Sequence, residues 1–135
     1  MPMKIKQSCF SEMVEHCQQE HPHEACGILA GKDDLVTKVY KMANTSETPE
    51  ICYSIDTKVL IKLNKEMRNS GLEMLGIYHS HGSSAPYPSV RDVKDAHYPE
   101  ASYVIVSLTN CCKPEVAAFK IVEGKIEEEE LILDN

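Results

Sequence analysis

No stretch of this 135-residue sequence approaches the ~18 consecutive apolar residues needed to span a bilayer. The first residues, Met1 to Gln7, lack the apolar core of a secretory signal peptide. Positive charge is also scarce: 14 Lys and Arg against 21 Asp and Glu give a net charge of −7. That balance argues against nucleic-acid binding, where a basic face supplies much of the affinity. Paired cysteine spacing is missing as well. The six cysteines (Cys9, Cys17, Cys26, Cys52, Cys111 and Cys112) contain no C-x-x-C repeat. Cys111 and Cys112 are adjacent, so their Cα atoms lie ~3.8 Å apart. Disulfides usually need ~4.4–6.8 Å. The cysteines are read as small buried hydrophobes or idle thiols, and a cytoplasmic protein with reduced thiols is expected.

Several metal and nucleophile motifs are absent. His23-Glu24-Ala25-Cys26-Gly27 would be H-E-x-x-H only with histidine at 27. The H-x-E and P-C-x-x-C pair of zinc deaminases does not occur. Neither a phosphate-binding G-x-x-x-x-G-K-[ST] nor a G-x-S-x-G elbow is present.

What is there is an ordinary globular composition, 42% hydrophobic and 26% charged. One domain over residues 1–135 is expected, large enough to bury a core without staples. Lys4-Ile5-Lys6 reads as a short strand, with Ser8 or Ser11 capping the helix that follows. Phe10, Met13, Val14 and Cys17 form an amphipathic stripe that ends before Pro22. Cys26 to Gly31 is a buried strand, Leu35 to Met42 a second, Asn44 to Pro49 a loop and Ile51 to Ile55 a third strand. Asp56 caps a helix to about Asn69 whose inner face is Val59, Leu60, Leu63 and Met67, with Gly71 as its stop signal. Leu72 to His79 is a central apolar strand, and Ser89 to about His97 a short helix stopped by Pro99. Tyr103 to Val106 is strongly β-forming. Val116–Val122 and Ile126–Leu133 form a hairpin turned at Gly124-Lys125, and Glu127 to Glu130 is a solvated acidic edge. Helices and strands intermix around one mixed sheet.

The chemistry gathers between positions 79 and 92. His79 and His81 stand two apart at a strand end, where alternate side chains share a face and can reach one ion. Gly76 and Gly82 flank them and permit close backbone approach. Alone, H-x-H favours the plainer reading of two exposed loop histidines. Ser89 and Asp92 are spaced S-x-x-D at a helix start, which taken alone favours a capping box. A helix start also orients its residues rigidly, so Asp92 could present a carboxylate to a metal at the adjacent strand end. Imidazole and carboxylate suit first-row metals, and three protein ligands leave a position open for water, as in catalytic zinc sites. Glu24, at the entry to a buried strand, is either a solvated strand end or a general base near such a metal. His21 and His23 fit no ligand position and are left as surface residues.

Together these residues resemble the motif of the JAMM/MPN+ zinc metallopeptidase family: an upstream Glu, then H-x-H, seven residues, then S-x-x-D. Here they are Glu24, His79-Ser80-His81, Gly82 to Pro88, and Ser89-Val90-Arg91-Asp92. The lead-ins, His23 to Gly31 and Gly76-Ile77-Tyr78, are similar too, and the likeness extends over roughly Lys4 to Leu133. One departure is Gly82, where many members carry Pro; Ala85-Pro86 follows where Pro-Ala is common. It removes no ligand.

The resemblance implies an α/β (mixed α+β) fold, one curved mixed sheet flanked by helices with cytidine-deaminase-like architecture. It implies one Zn²⁺ on His79, His81 and Asp92, with water as the fourth ligand. Glu24 would take the water's proton and later deliver it, and Ser89 would donate its hydroxyl to the tetrahedral oxyanion. The compact chain is similar to small stand-alone prokaryotic members, which cleave after the C-terminal Gly-Gly of ubiquitin-like or sulfur-carrier proteins. That tail is the expected partner. A catalytically silent MPN-type binding module and a zinc hydrolase of small non-protein amides are the alternatives.

Overall fold

A computed structural model describes residues 2–135. The elements in chain order are β1 (Met3–Lys6), α1 (Gln7–Glu20), β2 (Cys26–Lys32), β3 (Leu35–Met42), α2 (Thr57–Asn69), β4 (Glu73–His81), α3 (Val90–Lys94), β5 (Ser102–Ser107), β6 (Glu115–Val122), β7 (Lys125–Glu129) and β8 (Leu131–Asp134). The strands make one eight-stranded sheet in the order β7-β6-β5-β4-β2-β3-β1-β8. Pairing is mixed: β4 runs parallel to β5 and antiparallel to β2. β7 and β8 are consecutive in the chain yet lie at opposite ends of that order. Only Glu130 joins them, and one residue spans at most ~3.6 Å. The sheet must therefore curl until its two edges nearly meet, giving the curved mixed sheet expected.

The central strands β2, β4 and β5 are buried on both faces, which is why they read as continuous apolar runs. Two cores result. Cys9, Met13 and Cys17 of α1 pack with Leu29, Tyr78, Val104 and Val106 on one face. Leu63 and Met67 of α2 pack with Ile28, Ile77, Ile105 and Phe119 on the other. Side chains alternate along β4, so His79 and His81 share the α2 face with Ile77, while Tyr78 and Ser80 point toward α1. Tyr78 needs Gly27 opposite it on β2: a Cβ at Gly27 would collide with the Tyr78 ring.

Five local expectations are corrected. Ile51 to Ile55 forms no strand. Its backbone is satisfied locally instead: Ile51 and Cys52 N–H donate to Thr48 O, and Asn44 bonds Cys52 O and Ser54 N–H. Ser8 and Ser11 lie inside α1, whose N-cap is Lys6 with no side-chain cap. Burial of Cys9, Met13, His16 and Cys17 holds that helix instead. On α2, Val59 is exposed and the buried residues are Leu63 and Met67. α3 is five residues long rather than running to His97, and it buries none of them. The final strand breaks at Glu130, because Met3 N–H takes Glu130 O and Leu131 onward pairs with β1. Glu129 turns inward there and accepts from Ser102 Oγ, while Glu127 pairs across the ladder with Lys120.

Other expectations hold. Asp56 caps α2 by accepting from Lys58 and Val59 N–H, worth about 1 kcal/mol. Gly71 adopts φ +73° at its stop. Cys9, Cys17, Cys26 and Cys52 are buried free thiols, and Cys111 and Cys112 are exposed. Among the described residues, no helix is long and apolar enough to cross a membrane.

Candidate metal centre

β4 runs two residues further than its sequence pattern suggests, to His81. Pairing on both sides causes this. Cys26 of β2 lies opposite His79, while Ile105 and Ser107 of β5 lie beside His79 and His81. Both histidines are therefore buried in the sheet, 1% and 4% exposed, and they are not loop histidines. Their Nε2 atoms lie 3.2 Å apart.

α3 supplies the third group. Ser89 caps it: Asp92 N–H donates to Ser89 Oγ at 3.1 Å, and Ser89 N–H donates to Asp92 Oδ2 at 2.9 Å. The capping box is real, and it aims the carboxylate. Asp92 Oδ2 lies 3.2 Å from His79 Nε2 and 3.0 Å from His81 Nε2. Ser89 Oγ only accepts in this cap, so its O–H proton is free for another partner.

Three donor atoms thus converge in a triangle with sides of 3.0–3.2 Å. Tetrahedral zinc with bonds of ~2.0–2.1 Å has ligand-to-ligand edges of ~3.3 Å. The two sizes agree. His79, His81 and Asp92 form a group able to hold a metal ion. The tautomer of His81 suits this. Ala85 O, 3.0 Å from Nδ1, can only accept, so the neutral ring carries its proton on Nδ1 and keeps its lone pair on Nε2. His79 has no such acceptor: its buried Nδ1 has no hydrogen-bond partner among the described residues. Its ring instead stacks on Tyr53, centroids 4.4 Å apart and planes at 22°.

The electrostatics favour the same reading. Burial lowers the His79 pKa, against the pull of Asp92, and keeps that ring neutral. Burial pulls His81 down too, but hydrogen bonds to Asp92 and Ala85 and the charges of Asp92 and Glu24 outweigh it, and the net shift is upward. Burial would raise Asp92, yet hydrogen bonds from both histidines hold it well below the usual carboxylate range. A carboxylate and two imidazoles facing one point offer the deprotonated ligands that a divalent metal requires.

Glu24 joins from β2. Extending the Cys26–His79 register by two residues sets Glu24 opposite His81, on the same face. It is 6% exposed. Its buried Oε1 has no partner among the described residues. Burial pushes its carboxyl up to about 7, opposed by His81 and reinforced by Asp92. That value suits a group that must both take and return a proton near neutrality.

Three residues that sequence reasoning passed over build this site. Ser80, the middle of H-x-H, points to the opposite face. It accepts from Ala25 N–H at 2.8 Å, and its own N–H donates to Ala25 O at 3.1 Å. It thereby ties the residue after Glu24 to the histidine strand. Asn44 bonds Glu24 O at 2.8 Å, and Tyr53 stacks on His79. A polar residue on the opposite face of the histidine strand was the available signal for Ser80. Asn44 and Tyr53 lie in a loop whose shape the sequence does not reveal. Tyr53 also lines a cavity of about 320 Å³ with Ile55, Leu60, Ile77, Tyr98 and Tyr103. His21 and His23 are exposed, as expected. Gly82 needs no special approach, since a Cβ there would make ordinary contact with His21 at 3.5 Å.

The sequence profile described as prokaryotic homologs of the JAB domain matches residues 6–122. The chain belongs to this family. This JAB-domain protein is 35% identical over 127 residues to the CysO-cysteine peptidase of Mycobacterium tuberculosis, covering 93% of this chain and 86% of that protein. It is 32% identical over 121 residues to the probable TtuB-protein conjugate cleaving protease of Thermus thermophilus, covering 90% and 77%. A solution structure of a Desulfitobacterium hafniense protein superposes with a TM-score of 0.88 at 35% identity, covering 100% of this chain and 94% of that one. A JAB1/MPN-domain protein of Archaeoglobus fulgidus shares the fold, TM-score 0.64 at 20% identity over 96% of this chain and 99% of that one. The JAMM/MPN resemblance read from the motif and the mixed-sheet fold it implied are thus borne out.

Proposed function

We propose that this JAB-domain protein is a zinc-dependent peptidase or isopeptidase that cleaves after the C-terminal Gly-Gly tail of a ubiquitin-like or sulfur-carrier protein. The observation that carries the reading is the convergence of His79, His81 and Asp92 beside a buried Glu24. Relatives named as peptidases of CysO-cysteine and of TtuB-protein conjugates support the substrate class. Tyr53, whose ring stacks on His79, also lines the neighbouring cavity, which is space an extended tail could use. Six free thiols fit a reducing cytoplasm.

His79 Nε2, His81 Nε2 and Asp92 Oδ2 would hold the ion. Zinc in such a site acidifies water and polarises a carbonyl. Glu24 accepts the proton of the attacking water on its carboxylate. The same carboxyl can then pass that proton to the departing amine. The free Ser89 O–H donates to the oxygen of the carbonyl under attack, a role worth ~2.7–4 kcal/mol for a well-placed donor. The capping box holds that hydroxyl in position.

The test combines metal analysis with hydrolysis of two substrates, a carrier tail ending in cysteine and one joined to a lysine side chain. Glu24→Gln is expected to keep its zinc and lose ~10²-fold or more in turnover. Wild-type turnover in Glu24→Gln would overturn the mechanism. Zinc binding without turnover on either tail would identify a silent binding module, and turnover on small amides alone would identify the other alternative.

A further inference from the structure

We propose that Asn44 and Tyr53 are positioning residues, and that one side chain, Asn44, couples the general base to the metal ligand His79. The inference rests on the zinc-peptidase reading above. The two histidines are held differently. His81 has a carbonyl acceptor on its far nitrogen, Ala85 O at 3.0 Å. Metal-bound histidines usually have such a partner, and its loss weakens metal affinity ~10–100-fold. His79 has none. What holds the plane of its ring is the face of Tyr53, 4.4 Å away and nearly parallel.

Tyr53 sits in irregular backbone between β3 and α2, where no ladder fixes it. Asn44 fixes it instead. Its Nδ2 donates to Cys52 O at 3.1 Å and its Oδ1 accepts from Ser54 N–H at 3.0 Å. These are the two peptide groups that flank Tyr53. The same Nδ2 donates to Glu24 O at 2.8 Å. From the other side Glu24 N–H donates to Pro49 O at 2.7 Å, within the same loop. The backbone of Glu24 is thus clamped to the segment that carries the His79 stacking partner. Any movement of residues 44–54 shifts the base and loosens the ligand together.

The experiment measures zinc affinity by competition with a chromogenic chelator, alongside kcat and KM on a tail substrate. Wild type, Tyr53→Phe, Tyr53→Leu, Asn44→Ala and the Asn44→Ala/Tyr53→Leu double variant are compared. Tyr53→Phe keeps the stacked face and should bind zinc within about twofold of wild type. Tyr53→Leu should bind ~10-fold or more weakly, with the upfield ring-current shift of the His79 protons lost by NMR. Asn44→Ala should weaken zinc binding and, at saturating zinc, also lower kcat, because Glu24 is released. The double variant should bind zinc no more weakly than Tyr53→Leu alone, since both act through one stack.

Equal affinity in Tyr53→Leu and wild type would overturn the proposal, as would equal losses in Phe and Leu or additive losses in the double variant. Tyr53 is half-buried in a loop, so the Phe and Leu pair decides even if Asn44→Ala unfolds. Failure of wild type itself to bind zinc would overturn the metal-centre reading instead, which keeps the two failures distinct.

Discussion

The Nε2 atoms of His79 and His81 lie 3.2 Å apart. Both face the same carboxylate oxygen of Asp92. His81 offers a lone pair, because its proton is committed to Ala85 O. The strand thus presents two donors at the spacing of one edge of a zinc tetrahedron, and the α3 cap sets a third against them.

Metal should stabilise this fold, and protons should compete with it. Zinc at ~100 times its Kd adds ~2.7 kcal/mol to stability, so chelation should lower Tm measurably in differential scanning fluorimetry. His81 is shifted upward from 6.5. Protonation therefore begins to oppose metal above pH 6.5 rather than below it. Zinc affinity should already be falling as pH drops from 8 to 6.5 in chelator titrations.

In the zinc-free protein, Glu24 should make stability depend on pH. Its folded pKa, about 7, lies above the ordinary value of 4.5. A raised acid favours folding when neutral, so its contribution is full below about 4.5 and is lost as pH rises to about 7. A shift of that size corresponds to roughly 3 kcal/mol. Asp92 has the opposite sign: it is shifted downward from 3.8, so its contribution is lost only as pH falls below that value. Urea denaturation of chelated wild type and Glu24→Gln from pH 4.5 to 7.5 should diverge, with Gln the more stable toward neutral pH.

Ser89→Gly separates capping from catalysis. Glycine at an N-cap loses only a few tenths of a kcal/mol relative to serine, so Tm should barely move. The hydroxyl donor is gone, and kcat should fall ~10²–10³-fold. Unchanged kcat would leave Ser89 as a cap only.

Ser80→Ala leaves Ala25 N–H without its buried acceptor, a loss of ~1–3 kcal/mol. It also frees the residue next to Glu24, so kcat should fall while zinc content stays. Denaturant midpoints, metal analysis and steady-state kinetics read the three effects separately.

Gly27→Ala and Gly82→Ala should differ sharply. The new Cβ at 27 meets the buried Tyr78 ring, while at 82 it finds ordinary contact. Overpacking of this kind typically destabilises by ~1–3 kcal/mol. Thermal melts should show a clear loss for the first and almost none for the second.

The legible parts of the chain were those where one local rule decided the outcome. Continuous apolar runs marked β2, β4 and β5 because burial on both faces leaves no other composition workable. Asp56 and Gly71 marked the ends of α2 because caps are local chemistry. Ile51 to Ile55 has strand-like residues, but the side chain of Asn44, seven positions upstream of Ile51, takes the hydrogen bonds a neighbouring strand would have made. The break at Glu130 was invisible for a related reason: β8 leaves the hairpin to pair with β1, more than a hundred residues away in sequence.

The candidate ligand set was legible from local periods alone. Spacing places His79 and His81 on one face of a strand, and S-x-x-D puts Asp92 in the first turn of a helix whose cap aims it. Both are consequences of the residue periods of strands and helices. How those donors are held depends on contacts between distant parts of the chain. Glu24 reaches the histidines through the antiparallel register of β2 on β4, Ser80 locks that register from behind, and Tyr53 supports His79 from a loop folded around Asn44. The hydrogen bonds among them join positions from 8 to 55 residues apart, and no local pattern encodes a pairing that exists only once the sheet has closed.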